Sequence, residues 1–219
     1  ILSYTAQSYS GPAARVGSIS VADKVIRVIQ LAPSPTTVFQ DVPLTHPFLN
    51  YISLLKESGV TKGCSDKTYC PEESTTRAQM AAFLVRAILG DSFEYPVTPY
   101  FTDVPATQPF FKYIQKLREL GVTSGCSSTT YCPDGTVTRG QMAAFLIRAR
   151  LGIQANDSFP YTTTPYFLDV PANHPFFGHI QKLKDLGITN GITATTYGPD
   201  DPNTRGQMAV FLIRSLITP

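Results

Sequence analysis

FQDVPLTHPFLNYISLLKESGVTKGCSDKTYCPEESTTRAQMAAFLVRA, running from Phe39 to Ala87, decides the fold, because the chain writes it three times. It returns as FTDVPATQPFFKYIQKLRELGVTSGCSSTTYCPDGTVTRGQMAAFLIRA from Phe101 to Ala149. It returns again as FLDVPANHPFFGHIQKLKDLGITNGITATTYGPDDPNTRGQMAVFLIRS from Phe167 to Ser215. A chain that repeats itself builds one supersecondary unit per copy, and neighbouring copies cover each other's apolar faces. The equivalent residues Asp41, Asp103 and Asp169 are 62 and then 66 residues apart. The extra residues fall in the linker after Arg150, so the unit keeps its length.

Each unit spells two helices. The first begins after a proline (Pro47, Pro109, Pro175), a residue that suits a helix's first turn. Phe48, Tyr51, Ile52 and Leu55 then recur at helical spacing. Gly59, Gly121 and Gly187 stop it, as a left-handed residue past a helix end does. The second helix opens on Thr76-Arg77-Ala78-Gln79, a capping box in which the hydroxyl accepts a free N–H and the glutamine reaches back. Met80, Phe83, Leu84, Ala87 and Ile88 predict one apolar stripe along it. Between the helices lies a compact G-C-x-x-x-T-Y-C-P loop.

The motifs F-x-D-V-P, L-x-x-x-G-V-T-x-G and T-Y-x-P…T-R-x-Q-M-A, in that order and in three tandem copies, resemble the S-layer homology (SLH) repeat over residues 39–217. The resemblance implies a mainly α fold, with three helix-loop-helix repeats closed into a pseudo-threefold bundle. It places one helix of each repeat in the centre, with the loops and the second helices at the rim. The implied domains are SLH repeats at 39–90, 101–152 and 167–217. The family's grooves between repeats receive a cell-wall polysaccharide, often bearing pyruvate ketals. Two departures stand out. Pro47, Pro109 and Pro175 replace a tryptophan frequent in the family, and Gln79, Gln141 and Gln207 replace its glutamate, which keeps the cap and loses the charge.

The totals narrow the function. A chain of 219 residues buries a substantial core. Its formal charge of +2 and lack of a basic run argue against nucleic acid. No apolar run approaches the roughly 20 residues a membrane helix needs. Cys64 and Cys70 in the first copy match Cys126 and Cys132 in the second, whereas the third has Ile192 and Gly198. Joint loss is what a bonded pair predicts, so Cys64–Cys70 and Cys126–Cys132 are expected disulfides, which belong outside the cytoplasm. Zinc or free thiols are the alternative, although C-x5-C lacks zinc spacing. The chain starts at Ile1 with no signal peptide, which suggests a processed chain or part of a longer one.

Residues 1–33 differ in kind. They alternate as three short strands, including Arg15–Val21 and Val25–Leu31, rich in β-branched residues. The pattern R-x-G-x-I-x-V…V-x-x-I-Q resembles the closing strands of a BACON-type β-sandwich. Partner strands are then expected from a missing part or from another chain. Residues 34–38 continue a proline-rich linker. The later linkers carry Phe93, Tyr95, Tyr100, Phe159, Tyr161 and Tyr166, which either pack on the helices or stack on sugar rings.

The candidate ligand contacts are the repeated polar residues. Arg77, Arg139 and Arg205 stand at the first position of the second helix, where a cation is unfavourable. They read as carboxylate-binding groups, as the resemblance implies, or as partners of a nearby acid. Asp41, Asp103 and Asp169 serve as turn caps or as groove residues. Asp66 matches the family's loop aspartate, with Ser128 and Ala194 in the other copies. His46 and His174 are equivalent, but Gln108 stands between them and His179 occupies a tyrosine position, so no metal site is expected. No nucleophile elbow or phosphate-cradling loop occurs, and no cofactor is expected. The expected function is non-catalytic attachment of an exported bacterial protein to an envelope polysaccharide at the cell surface. The alternative is a structural subunit in which residues 1–33 pair between chains in a lattice or filament.

Overall fold

The computed structural model describes residues 15–21, 24–30 and 39–217, the first two by their backbone alone. Strands β1 (Arg15–Val21) and β2 (Lys24–Gln30) form an antiparallel hairpin, with Arg15 opposite Gln30 and Val21 opposite Lys24. The strand expected before Gly11 lies outside the described residues. Six α-helices follow: α1 (Leu49–Glu57), α2 (Arg77–Leu89), α3 (Phe111–Glu119), α4 (Arg139–Leu151), α5 (Phe177–Asp185) and α6 (Arg205–Leu212). A π-helical turn, Ile213–Ile217, ends the last of them.

The helix boundaries follow local chemistry. Thr76, Thr138 and Thr204 cap α2, α4 and α6 through complete capping boxes with Gln79, Gln141 and Gln207. Such a cap contributes about 1 kcal/mol. The first helices start later than the prolines suggest, with Phe48, Phe110 and Phe176 as N-caps that offer no side-chain acceptor. Imidazole nitrogens supply one instead: the N–H of Phe48 donates to His46 Nδ1 at 3.1 Å and that of Phe176 to His174 Nδ1 at 3.2 Å. Gln108 Oε1 accepts from Phe110 in the same way, which explains why glutamine and histidine exchange there. Gly59, Gly121 and Gly187 all take positive φ.

The repeats close into a ring through their backbones. The N–H of Val137 donates to the carbonyl of Thr75, that of Asn203 to Val137, and that of Thr75 to Asn203, each at 2.9 Å. These three equivalent residues are fully buried, and the cycle of bonds returns to its start. Paired bridges surround it: Thr76 with Thr136, Thr138 with Pro202, and Ser74 with Thr204. No linear array makes the last contact, because it joins the third repeat to the first.

Helix α2 touches α4 and α6 at the centre, α4 touches the π-helical turn that ends α6, and each first helix packs outside against the second helix of the preceding repeat. This corrects the expected placement of the second helices at the rim. It also corrects the single stripe: Ala81, Ala82 and Val85 are buried along with Met80, Phe83 and Leu84, as in a helix packed on most sides. Ile88 is only partly buried.

Linkers are pinned rather than loose. Gln115 Nε2 donates to the carbonyls of Pro96 and Thr98, and Gln181 Nε2 to those of Thr162 and Thr164. Phe93 stacks near Tyr113 with centroids 5.8 Å apart, Tyr95 near Phe111 at 6.2 Å, Phe159 near His179 at 5.0 Å and Tyr161 near Phe177 at 6.0 Å. Phe93 and Phe159 therefore pack on the helices, whereas Tyr95, Tyr100, Tyr161 and Tyr166 stay exposed, Tyr95 and Tyr161 with one ring edge against a helix.

Candidate functional site

Each interhelical loop is held by an aspartate of its own repeat. The Asp41 carboxylate accepts the N–H of Tyr69 at 2.8 Å and of Cys70 at 2.6 Å. Asp103 does the same for Tyr131 at 2.8 Å and Cys132 at 2.7 Å, and Asp169 for Tyr197 at 2.9 Å and Gly198 at 2.7 Å. Both disulfides, Cys64–Cys70 and Cys126–Cys132, are formed. Asp41 lies close to both sulfurs of the first pair, but those sulfurs are bonded to each other and offer no thiolate to a metal.

The third copy does without a disulfide for a backbone reason. Cys70 and Cys132 both sit at φ 59°, the left-handed region that costs a side chain about 1–2 kcal/mol. Gly198 takes the same conformation at φ 68° with no such cost. The staple is thus exchanged for a residue that adopts the turn freely.

The aspartate-held tyrosine reaches into the preceding repeat. Tyr131 Oη donates to the carbonyl of Arg77 at 2.8 Å, and Arg77 Nε donates back to the carbonyl of Tyr131 at 2.7 Å. Tyr197 and Arg139 exchange the same pair of bonds, at 3.0 and 2.8 Å. Tyr69 and Arg205 do so at 2.8 Å in both directions, again joining the last repeat to the first. Each guanidinium also lies between two rings of the neighbouring repeat: Arg77 over Tyr131 at 4.8 Å and Phe145 at 5.4 Å, Arg139 over Tyr197 and Phe211, and Arg205 over Tyr69 and Phe83.

The three arginines are therefore 7 %, 5 % and 4 % exposed, and among the described residues none forms an ion pair with an acid. Their cost at a helix N-terminus is offset by the aromatic faces and the carbonyl of the next repeat. Burial draws Arg77 and Arg205 below the usual arginine value, opposed by Tyr131 and Asp103 for the first and by Tyr69, Glu73 and Asp41 for the second. Burial also holds the Tyr69, Tyr131 and Tyr197 phenols well above theirs, against the pull of Arg205, Arg77 and Arg139. Nη2 of Arg77 and Nη2 of Arg205 are buried and have no acceptor. Such donors left unpaired inside a protein are costly.

Those guanidiniums line three equivalent grooves, each built from all three repeats. The first joins Arg205 to the Thr61–Cys64 loop, Gln79, Arg86 and Phe110, around about 190 Å³. The second joins Arg77 to the Thr123–Cys126 loop, Gln141, Arg148 and Phe176, around about 310 Å³. The third joins Arg139 to the Ile188–Ile192 loop, Gln207, Arg214 and Phe48, around about 250 Å³. Each loop folds tightly on itself because Gly63, Gly125 and Gly191 lack a Cβ that would sit 2.2–2.5 Å from the loop's own carbonyls of Ser65, Ser127 and Thr193.

The arginines singled out in the sequence thus reach the grooves. The three aspartates act behind them by shaping the loops, and Asp66 sits exposed on the first loop. Two sets of groove residues were missed. Arg86, Arg148 and Arg214 recur at one position of the repeat, nine residues after Arg77, Arg139 and Arg205, a signal available in the sequence. The N-cap phenylalanines Phe48, Phe110 and Phe176 gave none, since each enters a groove whose loop belongs to another repeat.

The S-layer homology domain matches residues 38–81, 100–143 and 166–209. The chain is 31 % identical over 173 residues to an endoglucanase of Bacillus sp. (strain KSM-635), covering 78 % of this chain and 18 % of that protein. It is 27 % identical over 208 residues to a cell surface protein of Thermoanaerobacter kivui, covering 93 % and 24 %. An S-layer protein of Bacillus thuringiensis subsp. finitimus is 26 % identical over 201 residues, covering 91 % and 24 %. The chain therefore spans under a quarter of the length of these curated relatives. Three matched repeats, closed through equivalent backbone and arginine–tyrosine bonds, establish that the chain belongs to the S-layer homology family.

Proposed function

We propose that this chain is a non-catalytic attachment module. It holds an exported protein at the cell surface by seating acidic groups of an envelope polysaccharide in the grooves between repeats. The observation that carries this reading is the buried Nη2 of Arg77, which faces no acceptor of its own chain while its guanidinium lines an open groove. A carboxylate or phosphate on a sugar supplies that acceptor. Arg139 and Arg205 take the same part in the other two grooves. Asp41, Asp103 and Asp169 contribute by fixing the loops, and Asp66 offers a hydroxyl acceptor beside the first. The relatives support attachment over catalysis, since an endoglucanase and an S-layer protein share this segment while differing in name. No helix among the described residues is long and apolar enough to cross a membrane.

Cosedimentation with isolated wall fragments tests the reading. The full chain is expected to pellet with fragments that keep their polysaccharide and to stay in solution once it is extracted. Equal binding to both kinds refutes it.

A second reading, assembly chain to chain, rests on the hairpin. A two-stranded sheet is marginally stable alone and gains by pairing at its edges. Ordered polymers of the pure chain that vanish when residues 1–33 are deleted favour this role.

A further inference from the structure

The three grooves differ in what holds their second arginine. In the first, Arg86 Nε donates to Asp91 Oδ1 at 2.9 Å and its Nη2 to Tyr113 Oη at 2.7 Å. Lys62 joins the same carboxylate at 2.8 Å, so both of these groove-lining cations are already paired with an anion. In the third, Arg214 Nη2 donates to Tyr51 Oη at 3.1 Å and Nη1 to the carbonyl of Ile188 at 3.3 Å. Ile188, Ile192 and Val210 make the wall of that groove largely apolar.

The second groove has lost both partners. Ile153 stands in sequence where the first copy has Asp91, and His179 where the others have Tyr113 and Tyr51. Arg148 keeps only two long bonds, both 3.4 Å, to the carbonyls of Val122 and Ala155. Its Nε is buried with no acceptor, and among the described residues it forms no ion pair. Arg77, 7 % exposed, lines the same cavity with its own Nη2 unpaired. This groove is also the largest of the three, at about 310 Å³. Two buried cationic donors without acceptors in one cavity lose stability that a shared anion restores, because each charged group left unpaired inside costs more than its contacts return.

We propose that the groove lined by Arg77 and Arg148 is the principal anion site of the chain. It takes one carboxylate or phosphate group of a saccharide between two guanidiniums, and the other two grooves bind such groups more weakly. The inference rests on the reading that the grooves receive an acidic glycan. It adds which groove does so, and why.

Nuclear magnetic resonance titration of the full chain with sodium glucuronate and with glucose 1-phosphate tests it, using arginine Nε–H signals as reporters. Arg148→Gln is expected to weaken binding at least tenfold. Arg86→Gln and Arg214→Gln are expected to change it less than twofold. Tighter binding of either probe at this groove supports the proposal and identifies the preferred group. An equal or larger loss in Arg86→Gln or Arg214→Gln overturns it. The double variant Ile153→Asp/His179→Tyr keeps both arginines but gives Arg148 the partners that Arg86 has. It is expected to lose affinity at least fivefold, and unchanged affinity overturns the proposal. Wall-fragment binding separates the two levels. If Arg148→Gln pellets like the wild type, the groove assignment fails and glycan attachment stands. If the wild type binds neither fragments nor probes, both fail.

Discussion

Replacing Tyr69 by phenylalanine tests ring closure with almost no change of volume. The variant loses the 2.8 Å bond from Tyr69 Oη to the carbonyl of Arg205 and keeps the ring under the guanidinium, 4.8 Å away. The carbonyl keeps its bond within α6, so the loss of this second buried bond costs about 1 kcal/mol. For a folded unit of this size that is a fall in melting temperature of roughly 2–4 °C per kcal/mol. Because Tyr131 and Tyr197 make the equivalent bonds at 2.8 and 3.0 Å, all three phenylalanine variants are expected to lose about the same stability. Arg205→Met adds the loss of the 2.8 Å charged bond to the Tyr69 carbonyl and of two aromatic contacts, for a total of about 3 kcal/mol. Urea unfolding gives these values at constant slope if the transition stays two-state. The discriminating position is Tyr69, since its bond spans 136 residues and exists only if the third repeat returns to the first. A neutral Tyr69→Phe beside costly Tyr131→Phe and Tyr197→Phe refutes closure and leaves an open array.

Three other outcomes follow from the loops and the second groove. Cys64→Ser/Cys70→Ser is expected to cost about 2 kcal/mol in urea unfolding, from the entropy of a short closed loop. Cys64→Ser/Cys70→Gly is expected to regain about 1 kcal/mol of that, because glycine relieves the left-handed turn as Gly198 does. Burial, with a smaller contribution from Arg148, pushes His179 down to about 4. Between pH 6.5 and that value the unfolded chain takes up a proton that the folded chain refuses. Stability contributed by neutral His179 is therefore intact above pH 6.5 and declines by about 2–3 kcal/mol on acidification to pH 4. His179→Tyr flattens this stretch of the stability profile, and an unchanged slope shows that another group is responsible. Gly198→Ala is expected to cost at least about 1 kcal/mol from backbone strain alone, with more from the Asp201 carboxylate that its Cβ would meet at 2.2 Å.

The architecture was legible because repetition leaves few alternatives. Order and spacing gave two helices per unit, and Thr76 with Gln79 marked the start of the second, as the completed capping boxes show. Paired loss of Cys64 and Cys70 equivalents gave the disulfides, but not why glycine replaces the second cysteine. That depends on a φ angle that no spacing encodes. The central position of α2, α4 and α6 was misjudged. Reading only large residues gives one stripe, while Ala81 and Ala82 complete a surface buried on most sides, since alanine is counted too small to signal a face. In sequence Arg77 reads as a carboxylate contact or an acid's partner. Its aromatic sandwich against Tyr131 and Phe145 comes from another repeat, so sequence distance hides it. Arg148 was legible only by comparison: one must know that Asp91 and Tyr113 hold Arg86 before Ile153 and His179 become informative.

The most direct measurement is the affinity of the full chain for envelope polysaccharide before and after its acidic substituents are chemically removed. Guanidinium nitrogens left without acceptors predict at least tenfold weaker binding to the neutralised glycan, about 1.4 kcal/mol or more. Equal affinity for the charged and the neutral polymer contradicts the account.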